Sequence, residues 1–331
     1  MRKKAFLIVG IISFFGVILF SLSSAAVPTL SLEPESTSST IRNPARMISN
    51  NSASGSKAIQ FSAGGNNAII PSRFVGGYLE WWSGVYPSQI DSRYNLLFHA
   101  FATVNSSGSV NMELAVDRQR LATEYKQRKL EGKPTILSIG GAGGAASGLN
   151  STAEVQSFLN SVNPLIDEFG FSGIDWDLEV GVPGGISING LVSASRQLKV
   201  RHGTNFAITM APFEGIEYPY KDIARELGND LTFVGFQFYN MSDKVNSQNA
   251  IARMKEWMRD CNLREDQFSI GFWYGPDDWR KYVVEESQMA SIYSAVRTAH
   301  PGVRGTWTWA IATTDRPRNY AFPKALNPVV Y

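Results

Sequence analysis

The stretch Phe171-Ser-Gly-Ile-Asp175-Trp-Asp177-Leu-Glu179 constrains the fold of this chain more than any other. An acid stands at every second position, with Ile174, Trp176 and Leu178 around and between them. A strand sends alternate side chains to opposite faces, so the acids share one face and the apolar residues the other. Like charges on one face repel, and a tryptophan between apolar neighbours asks for burial. An exposed edge strand with a solvated acidic face meets the first demand and fails the second. A parallel strand buried on both sides, its acids turned into a shared site, meets both. Crowding in such a site pushes carboxylate pKa values apart and leaves a general acid.

The rest of the chain supplies partners for such a strand. Apolar strand candidates fall at 73–82, 94–104, 134–141, 171–179, 204–212, 231–240, 267–275 and 303–311. Several are almost continuously apolar, as strands buried on both faces are. Helical periodicity fills the gaps. In 152–169, Val155, Phe158, Leu159, Val162, Leu165, Ile166 and Phe169 follow the i, i+3, i+4, i+7 spacing. Ser151 and Glu154 predict a capping box, Gly170 a stop, and Pro164 a kink or local break. Residues 113–131, 247–261 and 285–299 read as further helices, and the segments after the first and fifth strands as short or irregular ones. Eight strands with interleaved helices predict an α/β fold, a (β/α)8 TIM barrel; an open doubly wound sheet is the alternative. The acid-bearing strand is the fourth, and Glu179 closes its C-terminal end, where such barrels carry their sites.

The barrel accounts for residues 71–331, about 260 residues, a usual length for the fold. Ahead of it, Arg2-Lys3-Lys4, the apolar run 5–20 and the small residues Ser24-Ala25-Ala26 read as a signal peptide over 1–26. An uncleaved anchor, tethering the chain to a membrane, is the other reading of the same run. Both predict export, to a secreted or membrane-anchored location. Residues 27–70, rich in Ser, Asn, Thr, Gly and Pro, read as a flexible linker.

Composition excludes several functions. A formal net charge of +2 over 331 residues gives no basis for a nucleic-acid partner. The one cysteine, Cys261, falls at helical spacing from Ile251, Met254 and Met258 and reads as a buried, inert thiol. His99, His202 and His300 are scattered, so the sequence predicts no metal site and no cofactor.

The strand motifs, taken in order, resemble glycoside hydrolase family 18, the chitinases and their endo-β-N-acetylglucosaminidase relatives. The family's D-x-x-D-x-D-x-E stands here as Ser172-x-x-Asp175-x-Asp177-x-Glu179. Its S-x-G-G stands as Ser138-Ile-Gly140-Gly141 and its G-Y-x-x-W as Gly77-Tyr78-x-x-Trp81. Ala100-Phe101-Ala102, Met210-Ala-Pro212, Gln237-Phe-Tyr239-Asn240 and Trp309 complete the set, which covers residues 73–311 and is most similar to compact bacterial chitinases of the D type and hevamine-like enzymes. The resemblance implies substrate-assisted, retaining hydrolysis of β-1,4-linked N-acetylglucosamine glycans, chitin or chitooligosaccharides. It implies Glu179 as the general acid, Asp177 as the group orienting the substrate's acetamido N–H, Asp175 as its proton-sharing neighbour and Tyr239 as the donor to the acetamido carbonyl. Trp309, Gln237, Met210, Tyr78, Phe101 and Asn240 would contact the sugar. Trp82, Trp273, Tyr274, Trp279 and Trp307 are further candidate platforms, each equally readable as core, and Glu80 and Glu214 stand near strand ends without an evident role.

One position departs from the pattern. Ser172 replaces the first motif aspartate, and a serine hydrogen-bonded to Asp175 predicts altered proton sharing and an altered pH profile. Only residues 276–302 separate the last two strands, so no α+β insertion domain is expected, and the groove should be open and suited to endo cleavage. An N-glycan-directed endo-β-N-acetylglucosaminidase, a peptidoglycan-directed enzyme and a non-catalytic lectin on the same barrel are the competing readings.

Overall fold

The computed structural model describes residues 70–142, 146–179, 185–239, 241–274 and 284–331. The expected targeting segment and nearly all of the linker, together with Asn240 and Trp279, lie outside the described residues.

Eight parallel strands close a barrel: β1 Phe74–Glu80, β2 Leu96–Val104, β4 Thr135–Gly140, β5 Gly173–Asp177, β6 Ala207–Met210, β7 Phe233–Gln237, β8 Phe268–Trp273 and β9 Gly305–Trp309. The sheet order is β1-β9-β8-β7-β6-β5-β4-β2, and β1 pairs with β2 to complete the ring. A further strand, β3 (Val110–Met112), pairs antiparallel with β2 through Ala102, Thr103 and Val104. It was not predicted from the sequence, since three residues carry too little periodicity to register.

Helices α1 Arg118–Leu130, α2 Thr152–Phe169, α3 Ile188–His202, α4 Glu217–Leu227, α5 Ser247–Cys261 and α6 Glu286–Ala299 wrap the barrel. Two single-turn 3-10 segments, Trp81–Ser83 and Pro87–Gln89, follow β1 where an α-helix would otherwise stand. Among the described residues α6 is the one helix between β8 and β9, and no α+β insertion is present. Helix α2 runs unbroken through Pro164, so the expected break does not occur. The Ser151 hydroxyl accepts the Glu154 N–H at 3.2 Å, as a capping box asks. The Glu154 carboxylate, however, accepts the N–H of Asn150 at 2.8 Å, one residue ahead of the cap. Cys261 is buried in α5, as its spacing predicts.

A last helix, α7 (Ala321–Val330), follows β9 and had no counterpart in the sequence reading. Its prolines hide it. Pro323 falls in the first turn, where an N–H has no partner within the helix. The wholly buried Asp315 prepares its start, taking the Phe322 N–H at 2.9 Å and the Tyr94 hydroxyl at 2.6 Å.

The strands have two apolar faces, so the protein has two cores. One lies between barrel and helices and takes Ile174, Trp176, Ile208 and Met210. The other fills the barrel with Phe74, Tyr78, Phe98, Ile136, Phe233 and Trp307. Trp307 fits because its neighbours across the barrel wall are glycines. A Cβ on Gly271 would come within 2.2 Å of its ring, and one on Gly235 within 2.7 Å. Trp307 in turn supports the rings above it, Tyr78 at 5.0 Å and Tyr239 at 6.1 Å between centroids. Gly271→Ala should therefore destabilise the barrel by about 1–3 kcal/mol through overpacking. Combining it with Trp307→Phe should recover part of that loss in urea unfolding.

Candidate active site

Strand β5 sorts its side chains by alternation. Ile174 and Trp176 face the helices, where the Trp176 indole N–H donates to Ser195 of α3 at 3.1 Å. Asp175 and Asp177 face the barrel interior and are buried. Glu179 lies two residues beyond the end of β5, in a turn, and is half-buried. The three acids are thus brought together as expected, but the last one arrives by a turn and not by the strand itself.

Asp175 lies deepest. Its Oδ2 accepts the hydroxyls of Tyr78 and Ser138, each at 2.8 Å, and its Oδ1 accepts that of Thr209 at 2.7 Å. Burial raises its pKa, and these three hydroxyls oppose the rise by favouring the anion. Asp177 and Glu179 stand side by side, both within reach of one Gln237 amide, so each acts on the other's charge. Burial pushes both up; the charges of Glu179 and Asp175 push Asp177 well above the usual carboxylate range. Two largely buried carboxyls this close resist carrying two charges at once, so they titrate together as a pair. The side-chain amide of Gln237, on β7, reaches Asp177 at 3.1 Å, Glu179 at 3.2 Å and the carbonyl of Ala211 at 2.9 Å. Asp177 thus feels Glu179 as well as Asp175, the neighbour with which the resemblance implies it shares a proton.

The backbone around the pair is fixed from both sides. The Gly141 N–H donates to the Asp177 carbonyl at 2.6 Å. A Cβ on Gly140 would lie 2.1 Å from that same carbonyl oxygen, so only glycine admits the approach. From outside the barrel, the Tyr220 hydroxyl of α4 accepts the Leu178 N–H at 2.5 Å and donates to the Trp176 carbonyl at 3.2 Å.

A cavity of about 230 Å³ opens over the acids, lined by Phe101, Ala142, Asp177, Glu179, Tyr239, Trp273 and Trp309. Phe101 stacks on Trp309 with ring centroids 5.4 Å apart. Burial, then the charges of Glu179, Asp177 and Asp175, hold the Tyr239 phenol well above its ordinary pKa, so it stays a hydroxyl donor. A second cavity of about 310 Å³ shares Phe101, Ala142 and Trp309 with the first and adds Trp81, Trp82, Thr103, Asn111 and Glu113 among its walls. Asn111 belongs to β3, so the unexpected hairpin builds part of that wall. The two cavities form one groove.

The expected site residues divide accordingly. Phe101, Tyr239 and Trp309 line the cavity, while Tyr78 and Gln237 lie beneath it and hold the acids. Met210 is a correction. It pairs with Trp176 in register and lies in the helix-facing core, because Thr209 occupies the inward position beside Asp175. Ser172 is another. It stands three positions before Asp175, an odd offset, so alternation turns it to the opposite face. Its buried hydroxyl has no hydrogen-bond partner among the described residues, and the expected bond to Asp175 is not made. Trp273 joins the cavity and Trp82 the second one, whereas Trp307 and Tyr274 are core. Glu80 is buried and ties down the segment after β9, accepting the N–H groups of Ala312 and Thr313 at 2.9 Å each. Glu214 pairs with Arg253 at 3.0 Å. Thr209 and Tyr220 were missed. Thr209 was legible from register with Asp175; Tyr220, on a helix, left no sequence signal. Among the described residues, no three His, Cys, Asp or Glu side chains are grouped to hold a metal.

A closed parallel barrel with clustered carboxyls at the C-terminal end of one strand, under aromatic walls, is the arrangement of a glycoside-hydrolase barrel. The chain belongs to glycosyl hydrolases family 18, whose family model matches residues 75–316. Chitinase D of Niallia circulans is 23% identical over 300 residues, covering 72% of this chain and 57% of that protein. Chitinase ChiA of Flavobacterium johnsoniae is 28% identical over 215 residues, covering 52% of this chain and 14% of the relative. The chain thus spans from about a seventh to just over half the length of these relatives. Among solved structures, a family GH18 chitinase from Chromobacterium violaceum aligns with a TM-score of 0.70 at 25% identity, covering 81% of this chain and 86% of that one. A putative chitinase A from Streptomyces coelicolor gives the same TM-score at 23% identity, covering 78% and 98%, a likeness of fold.

The raised pKa values carry a stability cost with a definite sign. Asp177 binds its proton more tightly folded than unfolded, so stability falls as pH rises from the ordinary carboxylate range through the raised value. Above that range Asp177→Asn should remove the penalty. A thermal scan at pH 8 should show a melting temperature about 2–4 °C higher than wild type, with the difference vanishing near pH 4.

Proposed function

We propose that this protein hydrolyses β-1,4-linked N-acetylglucosamine glycans, with chitin or chitooligosaccharides as substrate, by substrate-assisted retaining catalysis. The observation that carries the reading is the single Gln237 amide that reaches both Asp177, at 3.1 Å, and Glu179, at 3.2 Å, and so holds the two carboxyls together. A two-carboxylate glycosidase needs its acids about 5 Å or more apart, on either side of the scissile bond. Carboxyls held by one amide stand on one side, so the nucleophile has to come from elsewhere. The 2-acetamido carbonyl of an N-acetylated sugar is suitably placed to supply it.

In this reading Glu179 gives its proton to the glycosidic oxygen as the acetamido oxygen closes on the anomeric carbon. The leaving sugar departs with that proton, and an oxazolinium ion remains. Asp177 accepts the acetamido N–H and offsets the positive charge, while the Tyr239 hydroxyl donates to the acetamido carbonyl. Water, deprotonated by Glu179, then opens the ring from the face the leaving group vacated, and configuration is retained. Trp309 offers a flat apolar floor to the sugar ring.

The continuous groove from Trp273 past Trp309 to Trp82 supports internal cleavage of a long chain, because it seats sugars on more than one aromatic platform. The basic and apolar N-terminal segment supports export, with the barrel either released or tethered to a membrane.

Glu179→Gln should lower kcat on chitooligosaccharides about 10²–10⁴-fold while binding persists. Fully deacetylated oligomers should resist the wild-type enzyme, and their cleavage at the rate of acetylated ones would defeat the reading. Trp82→Ala should raise KM about 2–10-fold for long oligomers and leave the shortest cleavable ones unchanged, as loss of one stacking surface predicts. Product lengths from a chain substrate, separated by chromatography, report the position of cleavage.

A further inference from the structure

Asp177 and Glu179 can share a proton only if the chain between them leaves the strand direction at once. Strand β5 ends at Asp177, and the Leu178 N–H that follows is beyond the sheet ladder. A buried N–H must find another acceptor. It finds the hydroxyl of Tyr220, at 2.5 Å, and that hydroxyl donates onward to the Trp176 carbonyl at 3.2 Å. One phenol therefore bridges the peptide units on either side of Asp177.

Tyr220 is well placed to be rigid. It is fully buried in α4, on the outer side of the barrel. Its neighbour Lys221 bonds to Glu256 at 2.6 Å and Asp260 at 2.9 Å, both on α5, which pins α4 in place. Opposite, the Gly141 N–H grips the Asp177 carbonyl at 2.6 Å. The turn carrying Glu179 is clamped between these two contacts.

We propose that Tyr220 is a positioning residue for catalysis: its hydroxyl, bridging the Leu178 N–H and the Trp176 carbonyl, holds Glu179 against Asp177 so that the two keep one proton between them. The inference rests on the hydrolytic reading given above. The groups facing the pair are Asp175 on β5, Gln237 on β7, and the phenols of Tyr78 on β1, Tyr239 beyond β7 and Tyr220 itself. Among the described residues none of these is cationic, so the spacing of the two carboxyls is what keeps the proton in the site. With the bridge removed, Leu178 loses its acceptor, the turn relaxes and Glu179 moves toward solvent.

The test compares the full chain with its Tyr220→Phe variant by carboxyl NMR titration of carbon-13-labelled Asp and Glu, which needs no substrate, and by the pH dependence of kcat and KM on chitooligosaccharides. The highest carboxyl titration and the alkaline limb of kcat should both move down by about one pH unit as the like-charge contact loosens. At the wild-type optimum kcat should fall about tenfold with KM changed less than about twofold, the pattern of an interaction realised in the transition state. Tyr125→Phe is the matched control: Tyr125 is equally buried, and its hydroxyl meets His99 Nδ1 at 2.8 Å. It should lose stability and move neither titration nor profile. A folded Tyr220→Phe protein with wild-type titrations and a wild-type profile would overturn the proposal. If Tyr220→Phe does not fold, replacement of Tyr220 by 3-fluorotyrosine, whose oxygen is a weaker acceptor, takes its place. A smaller shift in the same direction then supports the proposal, and no shift overturns it. Moved titrations in a wild type that cleaves no chitooligosaccharide would sustain the positioning role and sink the hydrolytic reading.

Discussion

Two carboxyl groups in contact, largely shut off from water, can carry only one negative charge between them. That constraint at Asp177 and Glu179 organises everything nearby. Among the described residues, their neighbours hold them without a compensating cation. Asp175 is held by three hydroxyls, and the pair above it by an amide. A lysine or arginine in those places would stabilise both anions and release the proton the site exists to keep. The protein has cations to spare, and places them elsewhere. Lys221 and Arg253 bind Glu217 and Glu256 between α4 and α5, outside the barrel. There the same physics yields ion pairs.

The barrel interior makes that arrangement affordable. Nothing in a ring of hydroxyls and phenols over like charges favours folding strongly, so the stability has to come from the aromatic filling beneath. Trp307, Phe98 and Phe233 supply it, and Tyr78 joins the two regions. Its ring stacks on Phe98 at 4.6 Å while its hydroxyl reaches Asp175. The glycines at 235 and 271 matter to the site for this reason, although neither lines its cavity. They make room for Trp307, and Trp307 sets the height at which Tyr78 and Tyr239 stand.

Alternation made the inward face of β5 legible, and eight such patterns made the barrel legible. The same rule, applied strictly, also separates Thr209 from Met210 and Ser172 from Asp175. A motif compared letter by letter does not, because it records which residues recur and not which face they occupy. Met210 and Ser172 were drawn into the site by that route, and register removes them. What stayed illegible depends on contacts distant in sequence. The β3 hairpin is too short for any period to appear. The turn that carries Glu179 off the strand is set by a hydroxyl 42 positions later in the chain. Helix α7 starts on a carboxylate whose other partner is 221 positions earlier.

This division between local pattern and distant contact also separates chemistry from specificity in the groove. Asp175, Asp177 and the hydroxyls and amide that support them come from the strands β1, β4, β5, β6 and β7, whose positions are fixed by the closed ladder, and Glu179 from the turn directly after β5. The walls farther along the groove come from the segment after β1 and from the β2–β3 hairpin, outside the ladder of the barrel. Trp82, Asn111 and Glu113 form exposed walls and not packed core, so under the proposed function a change there alters which saccharide is held without disturbing the acids. A change at Thr209 or Ser138 removes a hydroxyl from a buried anion and has no such freedom. The length of chain bound and the bond broken are therefore under separate control, because one is set by loops over the barrel mouth and the other by hydroxyls within it.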